Sequence, residues 1–159
     1  METPPSLNTL PEGQATILVV DDEIRNRELV NDILEAHDYT VEQAENGRQA
    51  LDMCGQNIYQ AIILDIMMPG MDGFEVCESI RKESRNTVTP VLMLTSLTDR
   101  DARLKGIQSG ANDFLTKPLD SKDLLLRIRN AVYHKTLYDK LEENYEKLRK
   151  LENLRDNLV

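Results

Sequence analysis

The chain has 159 residues, of which 40% are hydrophobic and 30% are charged, a length of about one domain and a composition typical of soluble globular proteins. Its 19 basic and 28 acidic residues give a formal charge of -9, which argues against direct binding to nucleic acid or to an anionic membrane surface. The longest apolar runs, such as 17–20 and 61–64, are far shorter than the roughly 20 residues of a transmembrane helix. The N-terminus carries no secretory signal, so we expect a cytoplasmic location.

The first segment, 1–15, contains three prolines and several small polar residues without an apolar period, and it is predicted to be a flexible leader. After it, short apolar runs alternate with amphipathic segments. The apolar runs predict five strands, at 16–20, 40–44, 61–64, 91–94 and 114–116. The amphipathic segments predict five helices, at 23–36, 47–54, 73–83, 99–109 and 121–132. Because apolar strands separated by helices favour a parallel sheet covered on both faces, we predict a doubly wound α/β domain over 16–133.

The last segment, 134–159, lacks glycine and proline and carries six basic and six acidic side chains. It is predicted to continue the last helix. Heptad positions a and d are occupied by Leu137, Leu141, Asn144, Leu148, Leu151, Arg155 and Leu158. Five leucines in seven positions favour a coiled coil, and a buried polar residue such as Asn144 can set the register of a parallel homodimer. A solvated single helix, or a tail packed on its own domain, is the alternative.

Polar side chains follow four of the five predicted strands. Asp21 and Asp22 come after the first strand, Asp65 after the third, Thr95 after the fourth and Lys117 after the fifth. In a doubly wound sheet, ligands bind outside the carboxyl ends of the strands. Three carboxylates at one edge repel one another unless a cation lies among them, and such oxygen ligands suit Mg²⁺. A single aspartate after a strand is often only a helix N-cap, but a set spread over four strand ends favours a functional site.

These residues resemble the pattern of a known family. The acidic pair within 17–23, the run DIMMPGMDG that begins at Asp65, the pair Thr95-Ser96 and the pair Lys117-Pro118 occur in the order found in receiver domains of two-component response regulators. The resemblance covers 17 to about 132, and the four motifs together are highly specific. It implies a doubly wound, flavodoxin-like parallel sheet of five strands in the order 2-1-3-4-5, here with an extended C-terminal helix.

The resemblance implies that Asp65 accepts a phosphoryl group from a phosphohistidine on a sensor histidine kinase or a phosphotransfer protein. Asp21 and Asp22 would hold Mg²⁺ as the cofactor, with Asp65 and the main-chain carbonyl of Met67 completing the protein ligands. Such a chain is a phosphoacceptor rather than an enzyme, although it can promote its own phosphorylation and dephosphorylation. A carboxylate nucleophile is consistent with phosphoryl transfer, because catalysis of that reaction is mostly positioning and electrostatics.

Three further roles follow from the same resemblance. Lys117 would neutralise the phosphoryl oxygens, and the Thr95 hydroxyl would donate a hydrogen bond to them. The Lys117-Pro118 peptide bond is expected to be cis, since proline lowers the usual cost of that isomer. Phe114 corresponds to an aromatic switch that turns inward when Thr95 moves toward the phosphate; an ordinary core aromatic is the alternative.

Two apolar residues bear on how long the modification lasts. Met67 and Leu97 stand at the positions that flank the path of the attacking water in this family. Because neither side chain can orient a water molecule, the acyl phosphate is expected to persist for minutes or more. The alternative is that both side chains pack against the rim and leave the path open.

Three other interpretations of the sequence stay open. The chain could be the N-terminal receiver fragment of a larger regulator, such as a hybrid histidine kinase, since no output domain fits after Tyr133. An aspartate-nucleophile phosphohydrolase is less favoured, because hydrolases of the haloacid dehalogenase type carry a second acid where this chain has Met67. A binding module that is never phosphorylated would not need the complete set of acids, threonine and lysine.

Overall fold

The structure is a computed structural model that describes residues 15–96 and 100–158. Five parallel strands form one sheet in the order β2-β1-β3-β4-β5. The strands are β1 (Thr16–Val20), β2 (Thr40–Ala44), β3 (Ala61–Asp65), β4 (Val91–Thr95) and β5 (Asp113–Thr116). The helices are α1 (Ile24–Glu35), α2 (Gly47–Gln56), α3 (Gly73–Glu83), α4 (Arg100–Ser109) and α5 (Ser121–Asn157). The predicted doubly wound fold, its strand order and its extended C-terminal helix are confirmed.

The core has two layers, one on each face of the sheet. On one face, Leu34 of α1 and Leu124 and Ile128 of α5 pack with apolar side chains of β1, β3 and β4. On the other face, α2 and α3 contribute residues such as Ala50 and Ile80. Strands β3 and β4 are buried along their whole length because helices cover both of their faces. This arrangement leaves the carboxyl ends of the strands as an accessible edge.

Two central strands extend one residue beyond their predicted ends, to Asp65 and Thr95. The reason lies in the backbone pairing. Asp65 pairs with Leu94 across β3 and β4, and Thr95 pairs with Thr116 across β4 and β5. An apolar run marks burial, whereas the strand ladder continues for as long as the backbone groups pair. Asp65 and Thr95 are therefore held by regular strand geometry rather than by loops.

Helix α5 has 37 residues and changes its surroundings along its length. Its first half buries a stripe that packs on the sheet and ends at Lys135, whose ammonium binds the carboxylate of Asp139. Beyond this point the leucines are exposed, with 70% of the surface of Leu141 and 64% of that of Leu151 accessible. Among the described residues, none of the helices combines the length and the apolar character that a membrane span requires.

Candidate functional site

Three carboxylates meet at the carboxyl ends of two neighbouring strands. Asp65 is the last residue of β3, and Asp21 and Asp22 directly follow β1, whose last residue pairs with the residue before Asp65. One oxygen from each of the three carboxylates lies within 4.8 Å of the other two. Asp21 and Asp65 are buried, with 1% and 2% of their surface exposed, whereas Asp22 is exposed. Of the three, only Asp22 is thus readily reached by solvent.

The two carboxylate oxygens of Asp21 have different surroundings. Oδ1 accepts a hydrogen bond of 2.9 Å from the main-chain N–H of Glu23. Oδ2 is buried and has no hydrogen-bond partner among residues 15–96 and 100–158. A buried carboxylate oxygen without a partner is costly, and here it lies among two further carboxylates. This donor set of hard oxygens fits a small divalent cation such as Mg²⁺.

Asp65 is held by one cation and repelled by one anion. Its Oδ1 lies 3.3 Å from the ammonium of Lys117 and 3.3 Å from the main-chain nitrogen of Met67, which donates a hydrogen bond to it. Burial and the nearby charge of Asp21 raise the pKa of Asp65 to about 6, although Lys117 and the Met67 N–H act in the opposite direction. At neutral pH the carboxylate is therefore largely ionised and still poorly solvated, which favours its action as a nucleophile.

The loop after Asp65 returns very close to its own start. A Cβ at Gly73 would lie 2.5 Å from the carbonyl oxygen of Asp65 and 2.8 Å from the Cα of Ile66. The main-chain N–H of Gly73 also donates a hydrogen bond of 3.0 Å to the carbonyl of Ile66. Only glycine allows this approach. The loop is thereby closed beneath the site, and its Met67 side chain, 63% exposed, projects into solvent.

Thr95 and Lys117 reach the same edge from β4 and from the end of β5. Thr95 is 2% exposed, and its main-chain carbonyl accepts a hydrogen bond of 2.9 Å from the Lys117 N–H. The Lys117-Pro118 peptide bond is cis, as predicted. The structure thus brings the predicted acids, Thr95 and Lys117 to one edge of the sheet, while Phe114 lies within β5 and Leu97 lies outside the described residues.

Phe114 lies on β5 with its ring against helix α4. A Cβ at Gly106 of α4 would lie 2.6 Å from the ring, so the absence of a side chain there makes room for the phenylalanine. The ring is half-buried at the edge of the core. Beside it, the Lys105 ammonium lies 4.8 Å from the centre of the Phe74 ring, at the first turn of α3. Helix α4 is therefore packed against aromatic rings from two elements.

Arg27 is a residue of the site region that the sequence reasoning missed. Its guanidinium is buried and donates a hydrogen bond of 2.8 Å to the main-chain carbonyl of Asp21. A signal was present in the sequence, because Arg27 shares the spacing of the buried Val30 and Leu34 on α1. A cation on the apolar stripe of a helix needs polar partners inside the fold, and here the partner is the backbone beside the acidic pair.

Comparison with known proteins identifies the family. The model of the response regulator receiver domain matches residues 17–129 of the chain. The chain belongs to this family. Receiver domains bind Mg²⁺ through an acidic cluster, and response regulators take phosphoryl groups from histidine kinases. The chain is therefore a receiver domain of a two-component response regulator. Receiver domains are phosphoacceptors that act in signal transduction.

Two curated relatives are longer proteins. The chain is 42% identical over 129 residues to the response regulator PleD of Caulobacter vibrioides, covering 81% of this chain and 28% of PleD. It is 40% identical over 117 residues to the transcriptional regulatory protein ResD of Bacillus subtilis, covering 74% of this chain and 48% of ResD. The match thus spans about a quarter to a half of the length of these relatives.

Two solved structures resemble the fold over almost all of their own length. The chemotaxis protein CheY4 of Vibrio cholerae superimposes with a TM-score of 0.72 at 36% identity, covering 75% of this chain and 99% of that one. A chain described as adenylate cyclase from Rhodopirellula baltica gives a TM-score of 0.76 at 28% identity, covering 85% and 99%.

Proposed function

We propose that this receiver accepts a phosphoryl group on Asp65 from a phosphohistidine of a sensor histidine kinase or a phosphotransfer protein. One observation carries the proposal: the buried Asp65 carboxylate lies between the ammonium of Lys117 and the carboxylates of Asp21 and Asp22. A nucleophile, a fixed positive charge and a set of oxygen ligands for a cation are thereby gathered at one sheet edge. This is the equipment that phosphoryl transfer needs.

In the proposed reaction, a carboxylate oxygen of Asp65 attacks the phosphorus of the donor. A P–O bond forms to Asp65 while the P–N bond to the imidazole breaks, and the imidazole leaves with the bonding electron pair and takes up a proton. Negative charge on the equatorial phosphoryl oxygens is offset by the ammonium of Lys117, and the hydroxyl of Thr95 donates a hydrogen bond to one of them. With a pKa of about 6, Asp65 is mostly deprotonated at neutral pH and ready for this attack.

The acidic cluster would hold the cofactor Mg²⁺. Asp21, Asp22 and Asp65 would supply carboxylate oxygens, and Met67 would supply its main-chain carbonyl. The unpartnered Oδ2 of Asp21 supports this proposal, because a cation would satisfy it. When bound, Mg²⁺ offsets the negative charge that the carboxylates and the phosphoryl group bring together.

We further propose that Thr95 and Phe114 report phosphorylation to the surface. When the Thr95 hydroxyl moves toward the phosphoryl group, it vacates space into which the half-buried Phe114 ring can turn. The ring contacts Gly106 of α4, so an inward turn removes a support of that helix. The surface formed by α4, β5 and α5 would then change shape.

The phosphoacceptor role is tested with acetyl phosphate and intact-mass spectrometry. The parent is expected to gain one phosphate in the presence of Mg²⁺ and none with a chelator, while Asp65→Asn gains none in either condition. Asp72→Asn is the matched control, because Asp72 caps α3 through its Oδ1 and an asparagine can keep that hydrogen bond. A phosphate on Asp65→Asn would refute the assignment of the acceptor.

The outer face of the C-terminal helix is proposed to pair with a second copy of the chain in a parallel coiled coil. Leu137 begins the leucine seam two residues after Lys135, which is about 200° around the helix at 100° per residue. The seam therefore points away from the receiver's own core. Its exposed leucines form the apolar stripe that such pairing needs.

Segment 134–159 can serve in two ways. It can be a dimerising helix, or it can be a linker to a further domain of a larger regulator such as a hybrid histidine kinase. The second interpretation is supported by the short share of PleD and ResD that the chain spans. The proposed leader, 1–15, lies outside the described residues except for Ala15, which is buried directly before β1.

The proposed role as a phosphoacceptor rather than an enzyme has its own test. A phosphohydrolase with an aspartate nucleophile needs an acid to protonate the leaving group, and the residue two positions after Asp65 is the exposed Met67. A receiver is expected to take up about one phosphate per chain from acetyl phosphate. Continuous release of many phosphates per chain would favour the hydrolase.

A further inference from the structure

Arg27 is a buried cation whose charge no ion pair explains. Only 7% of its surface is exposed, and it lies on the face of α1 that buries Val30 and Leu34. Within residues 15–96 and 100–158, its guanidinium forms no ion pair with a carboxylate. Removing a guanidinium from water costs several kcal/mol unless well-placed hydrogen bonds offset the loss. Its hydrogen bonds therefore indicate what it does.

Those hydrogen bonds converge on the start of the acidic pair. Nη1 donates to the main-chain carbonyl of Asp21 at 2.8 Å, and Nε donates to Oε1 of Gln43 at 3.2 Å. The main-chain N–H of Asp21 donates in turn to the carbonyl of Ala44 on β2, at 3.2 Å. The backbone of Asp21 is thus held on its N–H side by the sheet and on its carbonyl side by Arg27.

The carbonyl of Asp21 belongs to the peptide group that joins Asp21 to Asp22. The orientation of this peptide plane sets the direction in which the Asp22 side chain leaves the backbone. The Cα of Asp21 lies at the other end of the same peptide group, and the Asp21 carboxylate that it carries is held at Oδ1 by the Glu23 N–H, while Oδ2 has no partner among the described residues. A group that fixes this one peptide therefore orients Asp22 and anchors the backbone that carries Asp21, two of the three proposed metal ligands.

We propose that Arg27 is a positioning residue for the divalent-cation site, which it serves by fixing the peptide between Asp21 and Asp22. The inference rests on the proposed function, because it assumes that the acidic cluster binds Mg²⁺. Arg27 itself would not touch the cation. It acts from beneath the site, as groups that orient metal ligands commonly do.

A positioning role and a purely electrostatic role of Arg27 predict opposite changes in Mg²⁺ affinity when Arg27 is removed, which makes the inference testable. Arg27 carries a positive charge near the acidic cluster, so its removal should tighten Mg²⁺ binding if only Coulomb forces matter. If Arg27 positions the ligands, its removal should weaken Mg²⁺ binding by about tenfold, the lower end of the range for residues that orient metal ligands. A role confined to stability would lower the unfolding midpoint and leave the affinity of the folded protein unchanged.

The experiment is titration calorimetry of the full chain with magnesium chloride, combined with urea denaturation to establish that each variant is folded. Arg27→Met is expected to raise the Kd for Mg²⁺ about tenfold. Gln43→Met is the matched control, since it removes the other partner of Arg27 and leaves the bond to Asp21, and its Kd should stay within about twofold of the parent. If Arg27→Met does not fold, Arg27→Gln, which removes the charge but keeps a polar group, is judged by the same criterion.

The outcomes separate the two proposals. A parent chain that does not bind Mg²⁺ overturns the metal part of the proposed function, and this inference with it. A parent that binds Mg²⁺, with an arginine variant that binds equally well or more tightly, overturns the role of Arg27 alone.

Discussion

The ammonium of Lys117 lies 3.3 Å from Oδ1 of Asp65, yet the pKa of Asp65 is raised to about 6 from its ordinary value of 3.8. Burial and the neighbouring Asp21 carboxylate together outweigh the attraction of the lysine. Ionising Asp65 therefore costs more in the fold than it does in water. A site in which Asp65 acts as a carboxylate therefore carries a free-energy cost of ionisation, which a bound cation would remove.

The first prediction concerns stability without metal. Asp65→Asn is expected to raise the free energy of unfolding at pH 8 by about 1–3 kcal/mol, because the neutral amide avoids the cost of ionising Asp65 in the fold. The folded parent holds its proton up to a pH near 6, whereas the unfolded chain loses it near 4. The contribution of Asp65 to the free energy of unfolding of the parent is therefore lost as the pH rises from the lower to the higher of these two pKa values. Urea denaturation in a chelator at pH 4 and pH 8 measures the effect, and a gap between variant and parent that does not widen with pH contradicts it.

A second prediction concerns the contact between α4 and the Phe114 ring. Gly106→Ala is expected to destabilise the fold by about 1–3 kcal/mol, because its Cβ would lie 2.6 Å from the ring. Gly55→Ala is the matched control. Gly55 lies near the exposed end of α2, and a Cβ there would have nothing within 4 Å, so alanine should stabilise the fold by about 0.5–1 kcal/mol. Denaturation midpoints of both variants give the comparison. Equal effects of the two substitutions would show that the ring does not occupy this space.

The third prediction concerns assembly. Removal of residues 137–159 should convert a dimer into a weaker dimer or a monomer, since it deletes the leucine seam. The double variant Leu141→Lys and Leu148→Lys should do the same in the full chain, because like charges would face each other across the seam. Glu142→Lys, a change of charge beside the seam, is the control and should leave the dimer intact. Light scattering measures all four proteins, and a truncated chain that stays fully dimeric places the interface on the globular domain.

The fourth prediction concerns the lifetime of the acyl phosphate. The parent should keep its phosphate for minutes or more, and Met67→Asn should lose it faster, because the amide can hold a water molecule near the phosphorus. Met67 is exposed beside the site, so the substitution is expected to leave the fold intact. The decay is followed by mass spectrometry after removal of acetyl phosphate. Decay of the parent within seconds, or equal rates for the two proteins, would argue against shielding by Met67.

The sheet could be predicted from the sequence because each central strand is a short apolar run followed by a polar residue. Asp65 and Thr95 were expected after their strands, and the structure makes them the last residues of β3 and β4. The difference of one residue arises because pairing of backbone groups does not depend on side-chain polarity. The convergence of these residues on one edge follows from the parallel topology, and this is why the candidate site could be predicted as a set.

Other features depend on contacts between segments that are far apart in the chain, and local patterns do not reveal them. The Arg81 guanidinium donates to the carbonyls of Gly110 and Thr89 and to the side chain of Asn112, tying the end of α3 to the loops that precede β4 and β5. Asn86, which is fully buried, similarly donates to the carbonyl of Cys54. Arg81 shares the spacing of the buried Phe74 and Cys77 on α3, but no local pattern names its distant partners or those of Asn86, so only the assembled fold shows what the two residues hold together.

The unbroken course of α5 has a mechanical consequence. From Thr136 to Asn157 the helix continues for about 33 Å beyond the last turn that packs on the sheet, at 1.5 Å per residue. Because the helix is continuous, it would pivot as one rigid body about the buried stripe that ends at Lys135. A tilt of roughly 10° at that stripe moves the C-terminal end of the helix by about 6 Å, given that length. A rearrangement too small to alter the core of the receiver would thereby become a displacement the size of a side chain, far from the acidic cluster.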